Sequence, residues 1–461
     1  MGTNLLIDIG STYTKVVAVD MDKECVVGTA KAFTTVQTDI NEGLENALND
    51  LRGITGIEEY SGKFACSSAA GGLKMVAVGL VPGLTAEAVK MAALSAGAKV
   101  MKTYSYELNN READEIFVLK PDIVLLSGGT DGGNRKVLLH NATRIAEIDG
   151  DFPVVAAGNK TAADEVERIL SEAGKEVRTC ENVMPEFNVL NIEPARELIR
   201  QIFLKRIISA KGLTKVQELV EGILMPTPSA VFKAASLLSK GSGVEKGLGE
   251  LMVVDIGGAT TDVYFIADGS PNASGVILKG LPEPFEKRTV EGDLGVRYNA
   301  KTLIEAAGVD SIASKAGITF EEVICLAGMI SLKPDMLASD YEKIGLLDFG
   351  LASMAVKLAV QRHAGRINTA YTAFGKVFVQ TGKELGRVCR MIGTGGPLIN
   401  SVNPTGILRE AMFDKACPEI LKPRKAEYML DKKYILAAMG LLGMRFPEIA
   451  VRIMKKELEM I

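Results

Sequence analysis

The chain has 461 residues, of which 47% are hydrophobic and 24% charged, and its formal net charge is -4. That length exceeds what one core serves, and the lack of a basic block or tail disfavours nucleic-acid binding as the main task. No apolar run approaches the ~18 residues of a membrane span, and Met1 runs into a strand without a charged leader, which together point to a cytoplasmic protein.

Residues 4–20 predict a strand, a polar turn and a second strand. Leu5-Leu6-Ile7 is apolar, Asp8-Ile9-Gly10-Ser11-Thr12 turns, and Lys15-Val16-Val17-Ala18-Val19 resumes the β pattern. A third strand over 26–33 and a helix over 40–51 follow. Between 73 and 180 the rhythm changes. Strands are expected at 75–78, 99–104, 123–126, 154–156 and 176–178, alternating with helices at 85–97, 110–119, 134–148 and 161–173. This alternation implies a parallel, doubly wound sheet. Helices dominate 194–239, and 241–249 reads as a glycine-rich linker.

At Leu251 the opening pattern returns. Leu251-Met252-Val253-Val254 leads into Asp255-Ile256-Gly257-Gly258-Ala259-Thr260-Thr261-Asp262, and a second β run follows. An internal repeat of this kind predicts two related halves, each beginning with a hairpin. The remainder reads as largely helical up to Arg390-Met391-Ile392-Gly393-Thr394-Gly395-Gly396-Pro397, where a strand meets a glycine turn before a helix. The boundaries that follow are 1–72 for the start of a first lobe, 73–194 for an inserted domain, 195–250 for connecting helices of the first lobe, and 251–461 for a second lobe.

The glycine in such a loop lets backbone amides approach an anion, and successive N–H groups form a concavity suited to phosphate oxygens. Gly10, Ser11 and Thr12 in the first loop, and Gly257, Gly258, Thr260 and Thr261 in the second, are therefore assigned to phosphate binding. Asp8 and Asp255 are assigned to hydrated magnesium and to orienting the attacking water. Lys15 either neutralises charge on a terminal phosphate or is a solvated strand lysine. Gly395 and Gly396 either pass the base and ribose of a nucleotide or form an ordinary βα turn. The expected ligands are ATP and Mg2+. Other cofactor classes find no support. Gly158-Asn159-Lys160-Thr161 is no phosphate loop of the Walker kind, because Pro153 stands where its first glycine belongs. No G-x-G-x-x-G follows a strand. The six cysteines form no C-x-x-C pair and the two histidines, His140 and His363, are isolated, so zinc and iron–sulfur sites are not expected.

The order of first loop, connecting helix, second loop, glycine turn and terminal helix resembles the actin-like ATPase superfamily. The resemblance covers most of the chain outside 73–194. It implies the two-lobed actin-like ATPase fold, an α/β fold of ribonuclease H-like halves, with an inserted doubly wound α/β domain. The helices at 229–239 and 434–443 match the two connecting helices, and Gly292-Asp293-Leu294-Gly295 sits where that superfamily has a glycine turn. Within it the chain is similar to the glutamate mutase accessory family, called GlmL or MutL. The segments that carry this likeness are 6–19, Ser127-Gly128-Gly129-Thr130-Asp131-Gly132-Gly133, Ala157-Gly158-Asn159-Lys160 and 226–235. The resemblance implies a protein acting beside the subunits of an adenosylcobalamin-dependent mutase, a reactivating factor that uses ATP-driven domain motion to exchange damaged cobalamin. A small-molecule kinase for a sugar or carboxylate and an actin-like scaffold are the competing expectations, and a homo-oligomer is neither required nor excluded. One departure concerns turnover. Met225-Pro226-Thr227-Pro228-Ser229 lacks the acid that hydrolytic relatives carry before the first connecting helix, so slow hydrolysis is expected. The insert is expected to face the partner. Its alternation suits a cobalamin-binding type of fold, although the Asp-x-His-x-x-Gly motif is missing.

Overall fold

A computed structural model describes residues 2–10, 12–34, 40–67, 73–210, 223–373 and 375–461. They fall into two compact units. One comprises Met1–Gly71, Lys211–Lys279 and Glu283–Ile461, the other Gly72–Ala210 with Gly280–Pro282.

The first unit opens with β1 (Thr3–Ile9), β2 (Tyr13–Asp20), β3 (Cys25–Phe33), α1 (Ile40–Thr55) and β4 (Gly62–Ser67). The second unit follows in the chain with β5 (Lys74–Gly79), α2 (Thr85–Ser95), β6 (Lys99–Ser105), α3 (Asn110–Leu119), β7 (Ile123–Leu126), α4 (Lys136–Glu147), β8 (Val154–Ala156), α5 (Ala163–Glu172), β9 (Val177–Thr179) and α6 (Glu193–Ala210). The first unit then resumes with β10 (Ile223–Pro226), α7 (Thr227–Lys240), β11 (Leu251–Ile256), β12 (Thr261–Ile266), β13 (Val276–Lys279) and β14 (Glu286–Glu291). Four helices come next: α8 (Ala300–Ala307), α9 (Val309–Ala316), α10 (Phe320–Leu332) and α11 (Glu342–His363). The chain closes through β15 (Arg366–Thr372), β16 (Gly375–Thr381), β17 (Arg390–Thr394), α12 (Gly396–Ile399), α13 (Pro404–Leu408), β18 (Glu427–Leu430), α14 (Leu436–Leu442), α15 (Pro447–Glu457) and β19 (Glu459–Met460).

Within the first unit, one strand order occurs twice. β1 pairs antiparallel with β2 and parallel with β4, β3 lies beyond β2, and β10 lies beyond β4. β11 pairs antiparallel with β12 and parallel with β17, β14 lies beyond β12, and β18 lies beyond β17. The second sheet adds only the short edge strand β19. Two ribonuclease H-like sheets in one chain make the actin-like ATPase fold. Their facing sides share a core. Leu6, Val17 and Val19 from the first sheet and Val253, Tyr264 and Ile266 from the second bury around α7 and α14, each such side chain contributing about 1.5–3 kcal/mol. The two helices cross where Gly440 meets Ala230. A Cβ at Gly440 would lie 1.8 Å from the Ala230 carbonyl oxygen, so the backbones touch and only glycine fits.

The second unit is a parallel sheet in the order β6-β5-β7-β8-β9, the doubly wound arrangement that the alternating pattern predicts. The sequence reading ends the insert at Pro194, whereas α6 packs against α2 and the compact unit extends to Ala210. The glycine loop Ser127 to Gly133 is tied down rather than free. The Asn159 side-chain oxygen accepts from Gly132 N at 3.1 Å, and its nitrogen donates to the Gly133 carbonyl at 3.1 Å. Asn182 donates to the Gly129 carbonyl and to Asp131, both at 3.0 Å.

Three departures from the sequence reading affect the architecture. β4 and β10 complete the first sheet, although neither is marked by a hydrophobic run long enough to predict a strand. The stretch read as largely helical before Arg390 also contains strands, and β13, β16 and β15 form a small separate sheet. Most residues of β15 and β16 are exposed, so the apolar alternation of a half-buried strand is weak there. Finally, α11 is long and apolar enough to cross a membrane by length and composition, although no apolar run had been read as one. Its buried positions include Ile344, Leu347, Leu351 and Val356, which belong to the core behind the second sheet.

Candidate functional site

The two hairpins bring Asp8 and Asp255 to equivalent places at the ends of the central strands. Across the first hairpin Asp8 stands opposite Lys15, and Lys15 stands opposite Lys31. Across the second, Asp255 stands opposite Asp262. The repeat is thus broken in charge: where the first half has a lysine, the second has a carboxylate.

Every oxygen of Asp8 is engaged. Oδ2 accepts from the Lys15 ammonium at 2.9 Å, and Oδ1 accepts from the Thr227 hydroxyl at 2.6 Å and the Cys66 thiol at 3.5 Å. Thr227 opens α7, so a hydroxyl occupies the place where the sequence reading found no acid. Lys15 is not a solvated strand lysine. Its side chain is 14% exposed, and its ammonium lies 3.6 Å from the centroid of the Tyr434 ring. Burial opposes that charge, but Asp8, Tyr434 and Asp255 outweigh it and hold the amine above its usual range. Burial also pushes the Cys66 thiol well up, with Asp8 adding to it, so the thiol stays protonated.

Asp255 is the opposite case. Its Oδ1 is shielded from solvent and has no hydrogen-bond partner among the described residues. Burial first, then the Asp262 carboxylate, push the Asp255 carboxyl up to about 7; Asp8 and Asp431 push the same way, and Lys15 pulls against them. Asp262 itself is neutralised from behind, since Arg288 Nε on β14 donates to it at 2.8 Å. Thr260 donates to the other Asp262 oxygen at 3.0 Å. The hydroxyl of Thr12 is likewise shielded and has no partner among the described residues, and it sits 3.1 Å from where a Cβ on Gly258 would be. The two hairpin tips therefore nearly touch, and each carries one orphaned oxygen. A shielded polar atom left unpaired costs about 1–3 kcal/mol.

The other predicted residues divide by position. Gly10 N donates to the Tyr13 carbonyl and Gly257 N to the Thr260 carbonyl, which closes both turns in the same way. Gly258 accepts from the amides of Arg297 and Tyr298. Thr261 is fully buried with its hydroxyl on the Leu294 carbonyl at 2.7 Å, so it holds the following turn rather than facing the cleft. Ser11 lies outside the described residues. Gly395 has φ +103°, and a Cβ there would fall 2.2 Å from the Ile256 carbonyl oxygen, so the glycine turn abuts the second hairpin. Gly396 lines a cavity of about 680 Å³, together with Lys15, Lys31, Asn400, Lys432 and Tyr434. That volume falls within the usual range of small-molecule sites.

Five residues around the cleft had no assigned role in the sequence reading. Asp262 could have been found by laying the repeat on itself, since it occupies the place of Lys15. Thr227 stood in the segment noted for its missing acid. Cys66, Asp431 and Tyr434 carried no local signal, because each comes from a separate part of the chain. Asp431 accepts from the amides of Ile435 and Leu436 and from the Thr394 hydroxyl at 3.0 Å, which fixes the turn carrying Tyr434.

Among solved structures, the chain resembles gluconate kinase from Lactobacillus acidophilus at 11% identity, covering 100% of this chain and 92% of that one at a TM-score of 0.35. The ethanolamine utilization protein EutJ from Carboxydothermus hydrogenoformans is 12% identical, covering 95% of this chain and 88% of that one at a TM-score of 0.25. The assignment of the fold rests on the strand order instead. In sequence, the chain is 50% identical over 460 residues to Protein MutL of Clostridium tetanomorphum, covering 99% of both chains. The family model described as MutL protein matches residues 4–458. The chain belongs to the MutL protein family, the glutamate mutase accessory family that its sequence resembles.

Proposed function

We propose that this chain is a nucleotide-dependent accessory protein of an adenosylcobalamin-dependent mutase, binding ATP with magnesium between its two hairpins. The observation that carries the reading is Asp255: a half-buried carboxylate, faced by a second carboxylate, with one oxygen shielded and unpartnered among the described residues. Such a group lacks a cation. The residues fit a divalent metal of the magnesium type, which favours oxygen donors and takes one or two carboxylates alongside phosphates and water. Asp255 would be the direct or water-bridged donor, with Asp8 reached through its second coordination. When bound, the metal would screen the phosphate charge and orient it.

The chain's own residues supply the rest. Lys15 presents a fixed positive charge beside Asp8. Gly10 and Gly257 spend their amides on closing the two turns, so phosphate oxygens would meet the other amides of those tips, that of Gly258 among them, while Gly395 and Gly396 suit the adenosine end. Thr227, standing where hydrolytic relatives have an acid, donates to Asp8 and cannot act as a base, so turnover in this reading would be slow. Closing and opening of the lobes would then follow nucleotide state. The unit of Met1–Gly71, Lys211–Lys279 and Glu283–Ile461 forms the nucleotide-binding part in this reading, and the unit of Gly72–Ala210 with Gly280–Pro282 the part that meets the mutase. The protein works in the cytoplasm, where the mutase and its coenzyme are, and exchanges damaged cobalamin for intact adenosylcobalamin.

The test is a mutase inactivated with cyanocobalamin, incubated with this protein, adenosylcobalamin and ATP. Activity should return only when ATP is present, and Asp255→Ala should abolish the return. Recovery that does not depend on ATP, or recovery undiminished in Asp255→Ala, refutes the reading.

A further inference from the structure

We infer that Tyr434 is a positioning residue that fixes the Lys15 ammonium for the terminal phosphate of a nucleoside triphosphate, a role that rests on the nucleotide site proposed above. Lys15 belongs to β2 in the first sheet, whereas Tyr434 lies between β18 and α14 in the second half of the unit. The ammonium is held between them, 2.9 Å from Asp8 Oδ2 on one side and 3.6 Å from the ring centroid on the other. One charge thus contacts both lobes.

The ring is placed there at a cost. Tyr434 adopts φ +57°, the left-handed region that a bulky side chain rarely enters. A conformation of this kind costs on the order of 1–3 kcal/mol and persists only where the surroundings over-determine it. They do so here. Tyr434 N donates to the Asp431 carbonyl at 3.0 Å, and the Asp431 carboxylate is tied to Ile435, Leu436 and Thr394. Thr394 immediately precedes the Gly395 turn. The same clamp therefore sets the turn assigned to adenosine and the ring that holds Lys15.

A lysine on a strand ordinarily keeps a flexible four-carbon stem. Pinned by an aromatic face and a carboxylate, its charge is fixed before any ligand arrives, and a desolvated cation–π contact is strong enough to do this. The γ-phosphate is the part of ATP that ADP lacks, so the fixed charge should act on the choice between them. Burial raises the Tyr434 hydroxyl above its usual range, so the ring stays neutral and its face stays attractive to a cation.

The experiment uses the full chain with magnesium and measures calorimetric affinity for ADP and for a non-hydrolysable ATP analogue. Tyr434→Asn removes the ring while suiting the left-handed backbone, and Tyr434→Phe keeps the ring. The wild type should prefer the triphosphate. Tyr434→Asn should lose tenfold or more of that preference, whereas Tyr434→Phe should stay within about threefold of wild type. Lys15→Met should lose the preference too, and adding Tyr434→Asn to it should have no further effect. A structural role for Tyr434 predicts the reverse: Tyr434→Asn keeps the preference, or its loss adds to that of Lys15→Met. Either result overturns the inference while leaving the nucleotide site intact. A wild-type protein that bound neither nucleotide would overturn the site itself, and the inference with it.

Discussion

Replacing Asp255 with asparagine is expected to stabilise the ligand-free protein, and to do so only away from acid pH. The Asp255 carboxyl is pushed from its ordinary 3.8 to about 7 by burial and then by Asp262. Because the folded value is raised, the folded state holds the proton more tightly than the unfolded chain does. Below the unfolded value both states are protonated and nothing is lost. Between about pH 4 and pH 7 stability falls as pH rises, and above pH 7 the ionised group costs the fold a constant amount. At about 1.4 kcal/mol per pKa unit, that amount is at most about 4 kcal/mol. Asparagine carries no charge and removes the cost, so the gain should be only about 1 kcal/mol at pH 4.5 and reach its full size at pH 8. The protein contains no tryptophan, so urea unfolding is best followed by circular dichroism between pH 4.5 and 8. Magnesium with nucleotide should narrow the gap at pH 8 by stabilising the wild type alone. A gain of equal size at every pH, or no gain at pH 8, would refute the description of Asp255 as a shielded and uncompensated carboxylate.

Three further outcomes follow from the packing. Thr227→Val removes the hydroxyl that donates to Asp8 at 2.6 Å and should cost about 1.5–3 kcal/mol in urea unfolding at pH 7; Thr227→Ser should restore most of it. Gly440→Ala should lower the melting temperature, since the new Cβ would meet the Ala230 carbonyl at 1.8 Å. This runs against helix propensity, which favours alanine by about 1 kcal/mol, and overpacking of about 1–3 kcal/mol should win. Asn159→Ala should speed amide exchange at Gly132 in the glycine loop of the second unit, because that amide loses its acceptor, while nucleotide affinity stays unchanged.

Much of this fold is legible in the sequence because its central strands are buried on both sides. β1 and β11 show as apolar runs that end in Asp, Ile and Gly, and the second unit shows as regular alternation. β4 and β10 are not legible, since each is short and each gains its place only by pairing with a strand distant in the chain. Pro226 at the end of β10 reads locally as the start of a helix, as it also is. The site was legible to the extent that it is repeated: Asp8, Asp255 and the turn glycines fall at matching places. The groups that set their charge do not repeat. Lys15 could be named, but only the fold shows that it is buried, paired with Asp8 and covered by Tyr434. Asp262 and Lys15 occupy the same position with opposite sign, and Arg288 neutralises Asp262 from a strand whose sequence gives no sign of it.

The meeting of α7 and α14 has a mechanical consequence. At Gly440 and Ala230 the helices touch backbone to backbone, and at the end of α14 the Leu237 side chain of α7 fills the place of a Cβ on Gly443, which would lie 2.3 Å from the leucine Cδ1. Interlocked ridges would resist sliding as well as separation. The crossing combines a close backbone contact with one seated side chain, so the shared core holds the two sheets at a fixed point of contact. The geometry that makes Gly440 intolerant of even one methyl group thus makes the crossing a pivot about which any relative movement of the two sheets has to occur.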